Sequence, residues 1–190
     1  MLLGTCGAAS ATVRAWGQRI ESLETYLDPG DCPMPCWNRL QPGNQSTDAF
    51  WFVIQQVQSE GGWMYSGQPS SRDGENIYEF RLLVQPSNQI RLGDVLMIYG
   101  APEYVQVLNS ASLGRTPDGR RRIIEVYLYW ADGAVEIVAT QPNNQYERRI
   151  ETDMWVREVH MRDPEGEPLY SEGVQPWHGF ANVNAYFNSD

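Results

Sequence analysis

The chain contains no lysine: all 14 of its basic residues are arginine. That excludes Schiff-base chemistry on a lysine, a phosphate-gripping P-loop lysine and a lysine general base. Basic charge is scarce altogether, because 24 Asp and Glu leave a formal net charge of −10. Nucleic acid demands a basic face, so it is excluded as a partner class, and adhesion to an anionic lipid surface is disfavoured. No apolar run approaches the roughly 20 residues that cross a bilayer as a helix, so no transmembrane segment is expected. The only histidines are His160 and His178, and the three cysteines are Cys6, Cys32 and Cys36. A structural zinc site needs four ligands, and beside Cys32 and Cys36 it would have to draw on Cys6, His160 and His178, scattered over the chain. Neither a metal nor another cofactor is expected. There is no G-x-S-x-G elbow and no recognisable partner for either histidine, so no catalytic residue is assigned.

What is present suits one ordinary domain. With 190 residues, 42% of them hydrophobic and 12% aromatic, the chain can bury a substantial core. Residues 1–12 read as a loose lead-in and 13–190 as a single α+β domain. The organising stretch is Cys32-Pro33-Met34-Pro35-Cys36-Trp37, whose prolines bar a helix interior or central strand. It predicts a rigid exposed loop or a clamp. Cys32 and Cys36 are read as a structural disulfide; a metal pair, a redox pair and free thiols are the alternatives, the redox reading being disfavoured by spacing one residue longer than Cys-x-x-Cys.

Apolar residues at three- and four-residue steps predict helices over 13–27, 46–58 and 92–99. In the second, Phe50, Val53, Ile54 and Val57 form the inward stripe, with Ser46, Thr47 or Asp48 as the cap. Strands are predicted over 63–66, 77–84, 104–108, 123–130, 134–139 and 154–161, with 67–75 as a polar turn. Ala131-Asp132-Gly133 marks the clearest hairpin, since Asp-Gly is a strong hairpin signal. The order gives helices packed on an antiparallel sheet. Leu40-Gln41-Pro42-Gly43 and Ile90-Arg91-Leu92-Gly93 echo one another fifty residues apart, each ahead of a helix. On that reading, 31–85 and 86–161 are related helix-plus-sheet units in tandem.

Leu92-Gly93-Asp94-Val95, followed by Gly100-Ala101-Pro102 and a strand, resembles BamE/SmpA-type outer-membrane lipoprotein domains and the β-lactamase inhibitor protein fold. The likeness covers about a quarter of the chain. The first unit has the Pro-Gly entry but not the closing Gly-x-Pro. Cys32-Pro33-Met34-Pro35-Cys36-Trp37 with Pro42-Gly43 is similar to bacterial secreted proteins carrying Pro-Cys-Trp and then Pro-Gly, although Asn38-Arg39 stands where those proteins place a glycine. Leu3-Gly4-Thr5-Cys6 loosely resembles a lipoprotein acylation box, with Cys6 as the lipid anchor. These likenesses imply a secreted or envelope-side binding or assembly domain.

Aromatic residues carry the expected binding surface. Strand alternation puts Tyr127 and Tyr129 on one face and Val126, Leu128 and Trp130 on the other. If the latter face is core, the tyrosines are exposed, and with Trp37, Trp177 and His178 they form the candidate surface. The function expected is an extracytoplasmic, non-catalytic protein-binding or assembly module, a structural subunit of an envelope complex. The alternatives are a carbohydrate-binding module with an aromatic face and a hydrolase using strand carboxylates such as Glu125, Glu136 and Glu158.

Overall fold

The computed structural model describes residues 27, 32–59, 64–84, 90–108, 125–141, 149–170, 173–181 and 186. These form an eight-stranded antiparallel sheet with two helices, an α+β fold that is mostly sheet. In chain order the elements are β1 (Gln45–Ser46), α1 (Thr47–Ser59), β2 (Met64–Ser71), β3 (Asn76–Val84), α2 (Leu92–Tyr99), β4 (Tyr104–Leu108), β5 (Glu125–Trp130), β6 (Val135–Thr140), β7 (Trp155–Arg162) and β8 (Gln175–Pro176). The spatial order is β1-β3-β7-β6-β5-β4-β8, with β2 paired along the outer edge of β3.

Alternation along the strands gives the sheet two unlike faces. Phe80 and Leu82 of β3, Val159 and Met161 of β7, Val135 and Ile137 of β6, Val126 and Leu128 of β5 and Val105 of β4 are all buried on one face. Onto it α1 turns Phe50, Ile54 and Val57, and α2 turns Leu92, Val95 and Tyr99. The rings of Phe50 and Phe80 stand 5.6 Å apart, and those of Tyr99 and Trp130 6.1 Å, so each helix meets the sheet through an aromatic contact. At Gly67 the approach of α1 is closest: a Cβ there would lie 2.5 Å from Ile54 Cδ1 and 2.7 Å from Phe50 Cζ. Only glycine lets the helix sit this low on the strand.

The helix starts are set locally. Ala49 donates its backbone N–H to Ser46 Oγ at 3.2 Å, an N-cap, while Asp94 Oδ2 reaches back to the Arg91 N–H at 2.8 Å. Of the helix expected over 13–27, only Leu27 lies among the described residues. It is helical and fully buried, and its carbonyl accepts the Tyr99 hydroxyl at 2.7 Å.

One expectation fails. Residues 67–71 are not a turn: β2 continues through them to Ser71. The stretch Gly67-Gln68-Pro69-Ser70-Ser71 reads as polar because it forms an edge strand, where a proline loses no ladder bond that matters and polar side chains meet water. The turn proper is built on Asp73, whose Oδ1 accepts the backbone N–H groups of Glu75 (2.9 Å) and Asn76 (2.8 Å) and the Ser71 hydroxyl (2.9 Å). Hydrogen bonds from Asn76, Glu75 and Ser71 hold its carboxyl well below the usual carboxylate range. The hairpin between β5 and β6 turns through Ala131, Asp132 and Gly133, all at positive φ (52°, 52° and 83°).

Cys32 and Cys36 form a disulfide with a Cα separation of 6.0 Å. The loop is a clamp and not a free surface loop: Pro35, Cys36 and Trp37 are buried, and Trp37 packs beside Phe80 at 6.3 Å between ring centroids. Trp37 and Leu40 exchange backbone hydrogen bonds at 3.0 and 2.7 Å, closing the turn behind the ring. In the unreduced protein Cys32 and Cys36 should resist alkylation, and intact mass after reduction should show both modified. The loop is short, so replacing both by serine should cost only about 2 kcal/mol of stability. Ready alkylation of the native protein at both positions would refute the bond.

Candidate functional site

The face turned away from the helices is polar, as is common for an antiparallel sheet packed on one side only. Its members alternate with the core residues. They are Glu79 and Arg81 on β3, Glu158, His160 and Arg162 on β7, Glu136 on β6, and Glu125, Tyr127 and Tyr129 on β5. The register puts Arg81 and Glu136 on either side of His160, Glu79 opposite Arg162, and Tyr129 opposite Glu136. Three antiparallel pairings thus bring residues from distant parts of the chain into one line across the sheet.

His160 is the centre of that line and is only 5% exposed, with Glu136 at 8%. Its Nδ1 lies 3.5 Å from Glu136 Oε1, and its Nε2 lies 3.0 Å from Glu79 Oε1. The second contact is short but off the hydrogen-bond line, leaving Nε2 buried without a hydrogen bond. Glu79 is gripped by Arg162, which donates Nε–H to Oε2 at 2.7 Å and also bonds it through Nη2. Burial alone would raise the Glu79 carboxyl, but the hydrogen bonds and charge of Arg162, with the adjacent His160, outweigh it and hold it below its ordinary value. Glu158 goes the other way: burial and the nearby Glu136 raise it despite its 2.6 Å pair with Arg81. Glu125 accepts the Tyr127 hydroxyl at 2.8 Å and pairs with Arg157 at 3.5 Å. Burial raises both tyrosine hydroxyls, helped by Glu125 at Tyr127 and by the charge of Glu136 at Tyr129, whose hydroxyl donates to Gln106 Oε1 at 3.4 Å.

A pocket of about 180 Å³ opens on this face, lined by Arg81, Glu125, Tyr127, Glu136, Arg157 and Glu158 with Leu83 and Val138. It is smaller than the ~300 Å³ at which pockets for drug-sized ligands begin. A broader open depression of about 780 Å³ lies between the β2–β3 turn and residues 162–167. Its Asp73 and Arg162 are already engaged, in the turn and with Glu79.

The aromatic residues expected at a surface divide. Trp37 is fully buried, and Tyr129 is 1% exposed because Tyr170 packs edge-on against it at 5.7 Å. Tyr127 is half-buried. The expectation that both strand tyrosines are exposed is corrected: the inner face of β5 is core as expected, but on the outer face Tyr129 is covered by Tyr170 and Tyr127 is half-buried. Trp177 and His178 sit beside β8, Trp177 partly and His178 well exposed. Tyr186 stacks on both, and Phe180 meets Trp177 edge-on at 5.7 Å. Cys6 lies outside the described residues. Two exposed aromatics escaped notice in the sequence, Trp51 and Phe52 on the outer side of α1, at 43% and 70% exposure. So did Glu79, Arg81 and Arg162. The parity of Glu79 and Arg81 against Phe80 and Leu82 carried a signal, whereas Arg162 lay beyond the expected strand end.

No family model, no curated protein and no solved structure matches this chain.

Proposed function

We propose that the chain is an extracytoplasmic, non-catalytic module that binds another protein, as a structural subunit of an envelope assembly. The observation that carries this reading is the Trp51–Phe52 pair, which α1 presents to solvent while Phe50 and Ile54 anchor the same helix to the sheet. Aromatics at the centre of a contact bury much area at little entropic cost, and they are enriched at protein interfaces. The Cys32–Cys36 disulfide supports an oxidising compartment. Tethering through an acylated Cys6 and the likeness to lipoprotein and inhibitor-protein domains belong to the same proposal. So does the kinship of two units, each opening with a helix, α1 before β2–β3 and α2 before β4–β7.

The carboxylate-hydrolase alternative is less well supported. Glu125, Glu158 and Glu79 each have an arginine partner, and the pocket beside Glu136 and Glu158 has too little room for a sugar ring with its neighbours. The Trp177, His178 and Phe180 cluster favours carbohydrate as the second reading, since clustered aromatic rings at an exposed edge suit a sugar face.

Because Tyr129 is buried, the informative substitutions are on the helix. Trp51→Ser with Phe52→Ser should abolish crosslinking to one specific protein in the native envelope fraction while the melting temperature stays unchanged. Retention of the crosslink, or turnover of a polysaccharide or peptide panel that Glu158→Gln abolishes, would overturn the reading. Retention of a polysaccharide in affinity gels, lost with Trp177→Ala and Phe180→Ala, would establish the second.

A further inference from the structure

We propose that Glu136, Glu158 and His160 form a binding site for a divalent cation of the zinc or manganese class, with Nδ1 of His160 as its nitrogen ligand. The three groups can each offer one ligand atom such that all lie within 4.8 Å of one another. Two ligand atoms about 2.0–2.1 Å from a tetrahedral zinc stand about 3.3 Å apart. The 3.5 Å between His160 Nδ1 and Glu136 Oε1 already nearly matches that edge, and it exceeds an ordinary N–H···O bond.

An independent observation points to a ligand there. The His160 side chain is 6% exposed, and its Nδ1, aimed into the cluster, lies 3.5 Å from Glu136 Oε1, beyond ordinary hydrogen-bond distance. A buried imidazole whose site-facing nitrogen has a carboxylate near it but no well-formed hydrogen bond leaves a desolvation cost unmet. A cation at Nδ1 would give that nitrogen a partner and leave the ring proton on Nε2, on the side of Glu79. Metal-bound imidazoles commonly hold their second nitrogen against a carboxylate in this way, fixing the tautomer. Here Arg162 locks that carboxylate in turn. Arg81 pairs with Glu158 at 2.6 Å and orients that ligand in the same way.

Charge and access agree with the geometry. Glu79, Glu125, Glu136 and Glu158 face Arg81, Arg157 and Arg162, which leaves negative charge in excess when His160 is neutral. The 180 Å³ pocket is lined by Glu136 and Glu158 and leads from solvent to the site. Two carboxylates and one imidazole suit zinc, manganese or cobalt, and three protein ligands leave a coordination position open toward that pocket.

The test is calorimetric titration of the full chain with zinc, manganese and cobalt(II) in excess magnesium, after alkylation of free thiol. One saturable equivalent is expected, with a raised melting temperature and a cobalt(II) visible band typical of mixed nitrogen and oxygen ligation. His160→Gln and Glu158→Gln should each weaken binding at least 10-fold, and Glu79→Gln by roughly 10–100-fold as an orienting neighbour. Glu125→Gln, on the same face but outside the set, and His178→Ala should bind as the parent does. Because His160→Gln is buried and can impair folding, Glu158→Gln at the pocket wall decides the matter. Absence of saturable binding, undiminished binding in Glu158→Gln, or loss of binding in His178→Ala would overturn the site.

Discussion

Phe80→Ala is expected to lower the free energy of unfolding by about 3–5 kcal/mol, the range for emptying a buried aromatic position. Phe80 is 1% exposed and lies where three parts of the fold meet. Its strand pairs with β2 on one side and β7 on the other, so the backbone is held and cannot sink to fill the void. Phe50 of α1 stands 5.6 Å from its ring and Trp37 of the disulfide clamp 6.3 Å. Removal therefore strips contacts from both at once. Collapse is further resisted because α1 already touches Gly67 as closely as its side chains permit. Urea unfolding should show a lower midpoint with little change in slope. A loss below about 1 kcal/mol would show that the three elements are not joined through this ring.

Periodicity made the inner half of this arrangement legible. The stripe of Phe50, Ile54 and Val57 and the alternation of Phe80 and Leu82 each state which side is buried, because a helix or strand with one apolar face has one way to hide it. The short helix and strand over 92–99 and 104–108 were legible down to their ends, which Gly93, Gly100 and Pro102 punctuate. Residues 67–71 were not, since an edge strand need not be apolar and its pairing partners lie six to fifteen residues away. The polar face was legible only in fragments. Glu125, Glu136, Glu158 and His160 stand out one at a time along the chain, but their meeting depends on the pairing of β5, β6 and β7. Neither composition nor local spacing encodes that register. The burial of Tyr129 by Tyr170, forty-one residues later, is hidden for the same reason.

The pair that supports this face gives the second large effect. Arg162→Met should destabilise the protein by about 3 kcal/mol near neutral pH, toward the low end for breaking a buried ion pair because Arg162 keeps some contact with water. The methionine fills much of the volume, so the loss is chiefly electrostatic: Glu79 keeps its charge, little of its solvent and only the imperfectly aligned His160 as a neighbour. Arg162 also donates to the Glu167 carbonyl at 3.1 Å, tying the 163–167 turn to the sheet, and this bond is lost too. The pH dependence has a definite sign. In the parent the Glu79 carboxyl is held below its ordinary value of 4.5, so its contribution is present above that value and fades as pH falls through the lowered one. Without Arg162, burial dominates and raises the same carboxyl, so acid relieves the variant while it weakens the parent. The gap between them should therefore be widest near pH 7, start to narrow above pH 4.5 as the raised carboxyl of the variant protonates, and level off once the lowered carboxyl of the parent is protonated too. Unfolding in urea across that range measures it, and a difference that stays constant or grows on acidification would show that Arg162 acts through packing and not through Glu79.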